Sequence, residues 1–405
     1  QGTKADIKKI KINMSKRVLL LGGAGFIGFN ITKYLAENRN YQLTIADNFA
    51  RGKQDDYFTE LVSKHNIKVV EGDYTNPETF NKLDKEYDQV YMLASVVGVD
   101  NANSIPHEII RINTALIFNT LEWVRANKIG KLLFTSTSEC YAGTIEAFGY
   151  TTPTPEEVPL CIQDIGHPRF TYAVTKMLGE SGFLNYSRIL GFEATIVRYH
   201  NVYGPRMGFK HVIPHLVVRF RKNENPFKVY GHDQTRAFCY IDDAVTGTVL
   251  AMEQPGTNGQ TYHIGTQDEI SIGELIHYTG ELMGYTGEYE NAPTYPGSVS
   301  RRCPDITKAR TQLGYEPKIM WKEANDQELW THLKEIENDQ ARVKADFAGF
   351  LEQVAYTNVQ NQVHELKTNP ILAAAERAGR IKIVGAIYNI LDGGLYWVTP
   401  LAQES

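Results

Sequence analysis

The chain has 405 residues, enough for two or three domains, with 42% hydrophobic and 22% charged residues, an ordinary balance for a soluble globular protein. A net charge of -5 without a basic block argues against a nucleic-acid surface, and no apolar run reaches membrane-spanning length. The four cysteines lie far apart, outside any Cys-x-x-Cys pair, which suits free thiols in a reducing cytoplasm rather than a disulfide framework or a zinc site.

Residues 1–13 are polar and lysine-rich, without an apolar signal core. They are read as an added tag or a disordered start, with Met14 as the natural first residue. The apolar run from Arg17 ends in Gly22-Gly23-Ala24-Gly25-Phe26-Ile27-Gly28, and a helical pattern follows over 29–37. Strand, tight glycine turn and helix form the geometry that holds a dinucleotide pyrophosphate. Gly22 permits the sharp turn, Gly25 lets the backbone approach the phosphates, and Gly28 lets helix and strand pack closely. The free N–H groups and the positive end of the helix then face the anion.

Further strands are expected at 42–46, 67–71, 89–94, 131–136 and 193–198, with helices over Pro106–Ala126 and 172–190 between them. This rhythm implies an α/β fold, a Rossmann-type doubly wound parallel sheet that binds ligands at the carboxyl ends of its strands. The stretch 143–169 has little periodicity and reads as an active-site loop or flap. From Tyr199 onward, prolines punctuate a more irregular pattern. The domain reading is therefore 14–198 for the cofactor, 199–320 for a smaller α/β substrate part, and 321–405 for a C-terminal extension. That extension reads as a charged helix followed by two strands within 381–398, joined by Leu391-Asp392-Gly393-Gly394.

Asp47 closes the second strand, where a carboxylate can accept both ribose hydroxyls of NAD and repel a 2′-phosphate. Arg51 nearby reads as a solvated loop charge. Asp73 ends the third strand and could bond the adenine amino group, or simply close a turn. Tyr172 and Lys176, four apart on one helix face, form a pair in which the ammonium would lower the phenol pKa. Such a tyrosine can remove a hydroxyl proton while a carbon-bound hydride leaves. Thr137 follows the fifth strand and could share the same substrate oxygen. Glu139 is read as a candidate acid or base beyond simple hydride transfer, or as a helix-start carboxylate. His211 and His215 are four apart, but Pro214 intervenes and no carboxylate completes a site, so no metal is expected. Cys140 lies near the site and reads as an inert core thiol.

From about 14 to 318 the chain resembles the extended short-chain dehydrogenase/reductase family of nucleotide-sugar epimerases, dehydratases and decarboxylases. The resemblance rests on the glycine loop, Asp47, Thr137, Tyr172 and Lys176. It extends to Arg198-Tyr199-His200-Asn201-Val202-Tyr203-Gly204-Pro205-Arg206, Gln234-Thr235-Arg236-Ala237-Phe238, and Arg302-Cys303-Pro304-Asp305. It implies NAD as cofactor, with Phe26, Ile27, Asn48, Asp73, Tyr74, Leu93 and Ala94 completing the cofactor contacts. Asn201, Arg206, Arg236 and Arg302 would hold a nucleotide-diphosphate sugar. It also implies a homodimer or higher homo-oligomer, and a first step that oxidises sugar C4.

Thr137-Ser138-Glu139 is similar to the Thr-Ser-Glu or Thr-Asp-Glu of decarboxylases and dehydratases. Pro168-Arg169-Phe170-Thr171-Tyr172 resembles the Arg-Trp-x-Tyr of UDP-glucuronate decarboxylases, whereas His200-Asn201 resembles GDP-mannose 3,5-epimerases. Decarboxylation of a nucleotide-linked hexuronate leads. Epimerisation, 4,6-dehydration and a non-catalytic NAD-binding scaffold are the alternatives. The tail, about 322–405, resembles the C-terminal end of β-class carbonic anhydrases, whose zinc is held by two cysteines and a histidine. It contains no cysteine, so that activity is not expected, and a docking or oligomerisation element is.

Overall fold

Val18, Leu19, Leu20 and Leu21 are all shielded from solvent, which a run of consecutive apolar residues achieves only with helices on both faces of its sheet. The computed structural model describes residues 15–319 except 53, 209–210 and 295–298, together with 366–367, 370–379, 385–388 and 395–398, and it has that arrangement. The first half alternates β1 (Arg17–Leu21), α1 (Phe26–Asn38), β2 (Gln42–Asp47), α2 (Asp56–Lys64), β3 (Lys68–Glu71), β4 (Glu86–Met92), α3 (Val99–Ser104), α4 (Pro106–Ala126), β5 (Lys128–Thr137), α5 (Thr144–Phe148), α6 (Thr171–Leu190) and β6 (Glu193–Tyr199). The rest carries β7 (Val202–Tyr203), α7 (Val212–Arg221), β8 (Phe227–Tyr230), β9 (Thr235–Ala237), β10 (Cys239–Tyr240), α8 (Ile241–Glu253), β11 (Thr261–Ile264), β12 (Glu269–Ser271), α9 (Ile272–Leu282), β13 (Tyr289–Ala292), β14 (Arg301–Arg302) and α10 (Thr307–Leu313).

Seven parallel strands lie in the order β11-β6-β5-β4-β1-β2-β3. Alternate residues of β1 feed two cores. Val18 and Leu20 join Ile31 and Leu35 of α1 and Ala244 and Val249 of α8, whereas Leu19 and Leu21 join Ile117 and Leu121 of α4 and Phe183 of α6. Strand order reverses at β1, between β2 and β4, so the ligand crevice opens there, at the carboxyl ends.

The helices expected at Pro106–Ala126 and 172–190 are present, the second beginning one residue earlier. α1 starts at Phe26 rather than 29, since Phe29 N–H already bonds to the Gly25 carbonyl at 2.8 Å. β4 ends at Met92 rather than 94, because Leu93 and Ala94 both turn their N–H groups onto the Leu21 carbonyl. One strand of the main sheet comes from the region read as irregular: β11 pairs in parallel with β6, and α8 packs against α1.

The stretch 143–169 includes the short helix α5 and is fastened to the strand that carries Arg302. Thr154 N–H bonds the Cys303 carbonyl, Asp305 N–H bonds the Thr154 carbonyl, and the Arg301 guanidinium bonds the Thr152 carbonyl. Glu156 accepts the His263 N–H at 2.8 Å. This flap is thereby part of the folded body.

The chain divides into two units, Gln1–Leu333 and Lys334–Ser405. In the second, a helix runs over Pro370–Arg377, and strands Gly385–Tyr388 and Leu395–Val398 pair antiparallel. These are the two strands expected within 381–398, while the turn at Leu391-Asp392-Gly393-Gly394 lies outside the described residues. Among the described residues no helix is long and apolar enough to cross a membrane.

Candidate active site

The glycine loop is built for close approach. Gly22 sits at φ +85°, and a Cβ there would lie 2.6 Å from Ala94 N. At Gly28 a Cβ would meet the Gly22 carbonyl oxygen at 2.2 Å. At Gly25 it would meet only the Gly22 oxygen, at 3.4 Å, so the outer side of the loop is open. Gly25 caps α1 without a side-chain hydrogen bond, and no acidic residue occupies the first turn, where Phe26 and Ile27 sit. That end is left to an outside anion.

Asp47 ends β2 beside it. One carboxylate oxygen accepts Ala24 N–H and the other Phe49 N–H, both at 2.9 Å. Burial pushes its pKa up, against those backbone bonds. Each oxygen keeps a lone pair for a ribose hydroxyl. Asn48 and Asp73 close local turns, accepting the N–H of Ala50 and Thr75. Tyr74 turns its hydroxyl onto the Val70 carbonyl and its ring onto Phe80, so it meets a ligand only through its backbone. The open face above Gly25, the uncapped helix end and the Asp47 carboxylate fit a dinucleotide with free ribose hydroxyls.

Tyr172 and Lys176 share one face of α6, with the Lys176 ammonium 5.7 Å from the centre of the Tyr172 ring. Lys176 Nζ donates to the Thr135 carbonyl at 2.8 Å. α6 is itself fixed by Glu180, one turn on, which accepts Ser136 Oγ and a forked pair of bonds from Arg198. The expected depression of the phenol pKa is corrected here. Burial pushes Tyr172 above its ordinary value, helped by Cys140 and Glu139, and Arg51 and Ser95 only partly oppose it. It is Lys176 that moves down, to about 8, through burial. Desolvation outweighs the neighbouring charge for both groups.

Arg51, read as a solvated loop charge, sends its guanidinium to within 3.4 Å of the Val97 carbonyl, where its charge reaches Tyr172. Thr137 ends β5 and accepts Glu139 N–H, which leaves its hydroxyl proton for another acceptor. Cys140 is buried and its thiol is pushed up to about 12 by that burial, as suits an inert thiol.

Glu139 lies in the short turn Ser138–Tyr141 after β5 and pairs with Arg302 Nη1. Burial pushes the Glu139 carboxyl up, but Arg302, then Arg169 and Arg236, hold it below its ordinary value. Arg302 and Arg236 are register partners on β14 and β9, which explains how segments far apart in sequence deliver two guanidiniums to one place. Arg236 also donates to the Val299 carbonyl at 2.7 Å, and burial with the neighbouring Arg302 lowers it to about 10. Arg169, three residues before Tyr172, joins this group. The signal for it in the sequence was the Arg169-Phe170-Thr171-Tyr172 motif, although no role was assigned to the arginine there.

The other two substrate candidates have protein partners of their own. Asn201 bonds the Ala237 carbonyl at 3.1 Å, in the turn between β6 and β7. The Arg206 guanidinium bonds both oxygens of buried Asp55, at 2.7 and 2.6 Å, and lies 3.9 Å over the Phe29 ring. Asp55 is the N-cap of α2, accepting Phe58 N–H, so Arg206 ties the α7 approach to the cofactor side of the fold. Arg206→Ala should lower stability by about 3 kcal/mol, the cost of taking the guanidinium away from a buried carboxylate. Thermal unfolding would measure it. KM for the nucleotide sugar should stay within twofold, and a large KM rise without loss of stability would restore the substrate role.

Residues 18–265 match the NAD dependent epimerase/dehydratase family. The chain belongs to this family. The match spans the glycine loop, Asp47, Tyr172 and Lys176, and the fold agrees. A second match, over 316–395, is to carbonic anhydrase.

Relatives of the NAD dependent epimerase/dehydratase chain include a UDP-N-acetyl-alpha-D-glucosaminuronate decarboxylase of Bacillus cytotoxicus. It is 33% identical over 80% of this chain and 100% of the relative. UDP-glucuronic acid decarboxylase 5 of Arabidopsis thaliana is 32% identical over 76% of this chain and 86% of the relative. Among solved structures, the UDP-glucose 4-epimerase of Thermotoga maritima, with UDP-glucose, superposes with a TM-score of 0.68 at 27% identity, covering 80% of this chain and 99% of that one. The UDP-glucuronic acid 4-epimerase of Bacillus cereus, with UDP-glucuronic acid and NAD, gives 0.67 at 25% with the same coverage.

Proposed function

We propose that the chain is an NAD-dependent decarboxylase of a nucleotide-linked hexuronate, of the UDP-glucuronate type. The observation that carries this reading is the Glu139–Arg302 pair, with Arg169 and Arg236 around it, within electrostatic reach of Tyr172 on α6. Three guanidiniums against one carboxylate leave a surplus of positive charge for a substrate that bears both a diphosphate and a carboxylate. The names of the relatives support the same class.

The chemistry follows from these positions. Tyr172 takes the C4 hydroxyl proton, with Thr137 on the same oxygen. NAD⁺, when bound, supplies the acceptor for the C4 hydride and later returns it. The C4 ketone is then β to the C6 carboxylate, so the C5–C6 bond breaks, CO2 leaves, and the electron pair passes to the C4 oxygen. Arg302 orients the carboxylate before departure; a proton at C5, hydride back at C4 and the Tyr172 proton back on the C4 oxygen complete the product.

In this proposal 14–198 holds the cofactor, 199–320 supplies most sugar-nucleotide contacts and 321–405 is a docking or oligomerisation extension. A homodimer or higher homo-oligomer is part of the reading, supported by exposed Ile110 and Phe118 of α4 and Leu178 of α6. Light scattering would return a monomer mass if this is wrong. The four free cysteines support a cytoplasmic setting.

The test is product mass after incubation with NAD⁺ and UDP-glucuronate, UDP-glucose or GDP-mannose. Loss of CO2 from the glucuronate is expected. Unchanged mass with a new chromatographic peak would make the enzyme an epimerase, and loss of water a dehydratase.

A further inference from the structure

Behind the Glu139–Arg302 pair lies a closed polar cluster that the proposed reaction does not use. Tyr141 comes from the turn that carries Glu139, His200 follows β6, and His263 lies in β11; all three are buried. Tyr141 Oη and His200 Nε2 are 2.6 Å apart. The two imidazoles meet edge to face with ring centres 4.8 Å apart, and Tyr141 packs 5.5 Å from His263. The Tyr141 hydroxyl and the His200 ring both lie within electrostatic reach of the Arg302 guanidinium.

The hydrogen bonds of this cluster are unevenly distributed. His263 Nδ1 faces the Asp305 carbonyl at 3.3 Å, and a carbonyl only accepts, so Nδ1 carries the proton and Nε2 is a bare acceptor. His263 Nε2, His200 Nδ1 and Arg302 Nη2 are buried without a hydrogen-bond partner among the described residues. The Tyr141–His200 bond is therefore the hydrogen bond that joins two side chains of the cluster to each other. Burial and the surrounding cations keep both imidazoles neutral, so these two rings add no charge behind Arg302.

We infer that His200 is a positioning residue for the Glu139–Arg302 pair, acting through the hydroxyl of Tyr141. With its phenol anchored on His200, Tyr141 holds the far side of the short turn that carries Glu139, and the Arg302 guanidinium keeps one anionic partner in one orientation. Without the anchor the phenol is left as another unpaired buried group and the turn loses its internal reference. The inference rests on the proposed reading for the reaction it assists. It rests on geometry alone for the coupling of the two side chains.

A double-mutant cycle in the full chain tests it. His200→Phe and Tyr141→Phe should each lower kcat for CO2 release about tenfold, with KM and bound NAD within twofold. The double variant should lose no more than the worse single, because both changes break one bond. His200→Gln, which can still bond the phenol, should recover most of the rate. Unchanged kcat in both singles would overturn the inference. So would a double loss near the product of the two, about a hundredfold, or losses that follow NAD content instead of kcat. If His200→Phe does not fold, Tyr141→Phe, which removes one hydroxyl, should by itself lower kcat about tenfold, and an unchanged kcat there would overturn the inference. If the wild type releases no CO2, the functional reading fails, and the cycle is run on whatever conversion the wild type performs. Coupling there supports the inference and additivity overturns it.

Discussion

Tyr172→Phe should lower kcat by about three orders of magnitude while NAD remains bound, a loss at the upper part of what a positioned general base contributes. The variant keeps the ring that packs beside Lys176 and removes only the hydroxyl. The phenol pKa lies above its ordinary value, chiefly through burial. The wild-type rate of C4 oxidation should therefore still climb across the neutral to mildly alkaline range, as the phenolate fraction grows. Burial moves Lys176 down to about 8, inside the same range. Stopped-flow absorbance of the reduced nicotinamide would give both profiles. A Tyr172→Phe variant that turns over at the wild-type rate would point to a different base, and one that binds no NAD would assign Tyr172 to cofactor binding.

Arg302→Gln should lower CO2 release by about two to three orders of magnitude while C4 oxidation continues, so that reduced nicotinamide accumulates. The substitution removes the guanidinium paired with Glu139 and leaves the carboxylate half-buried. Its sign with pH follows. Burial raises the Glu139 carboxyl and Arg302 more than offsets this, so the folded value lies below the ordinary one. The pair's stability contribution is full above the ordinary carboxylate range and is lost as pH falls through the depressed folded value. Thermal unfolding of wild type and variant should therefore differ most near neutrality and converge in acid. In the variant, burial acts with less opposition, and the acid limb of the residual activity should move to higher pH. Wild-type CO2 release by Arg302→Gln would remove Arg302 from the reaction.

What the sequence made legible follows the range of the interactions involved. The glycine loop, Asp47 and the Tyr172–Lys176 spacing are local patterns, and each stands where its neighbours in sequence put it. The 21-residue helix Pro106–Ala126 was readable to the residue because proline at its start and apolar periodicity are local too. The partner of Arg206 was not, since Asp55 lies 151 residues earlier, and a solvent-like arginine in a family motif gives no sign of a buried carboxylate waiting for it. Arg302 and Glu139 are 163 residues apart, and they meet only because β14 pairs with β9. The direction of the Tyr172 shift was missed for a related reason. Spacing reveals the nearby ammonium, whereas desolvation is a property of the finished fold. β11 escaped notice because four residues with a histidine among them do not read as a central-sheet strand until β6 is beside them.

The tail presents a separate physical question. Its two four-residue strands, Gly385–Tyr388 and Leu395–Val398, form a two-stranded sheet, an arrangement marginal on its own in water. The match to carbonic anhydrase covers this region, yet residues 322–405 contain no cysteine for the zinc that the resemblance requires. A role as an edge for pairing remains the proposal that its composition supports.

The most direct measurement is a single turnover of UDP-glucuronate with excess enzyme and NAD⁺, following absorbance at the reduced-nicotinamide band and CO2 in the same sample. The expected result is a rise in absorbance that precedes CO2 release and then decays as the product forms. CO2 without any transient absorbance would contradict oxidation at C4 as the opening step. A transient that decays without CO2 would contradict decarboxylation.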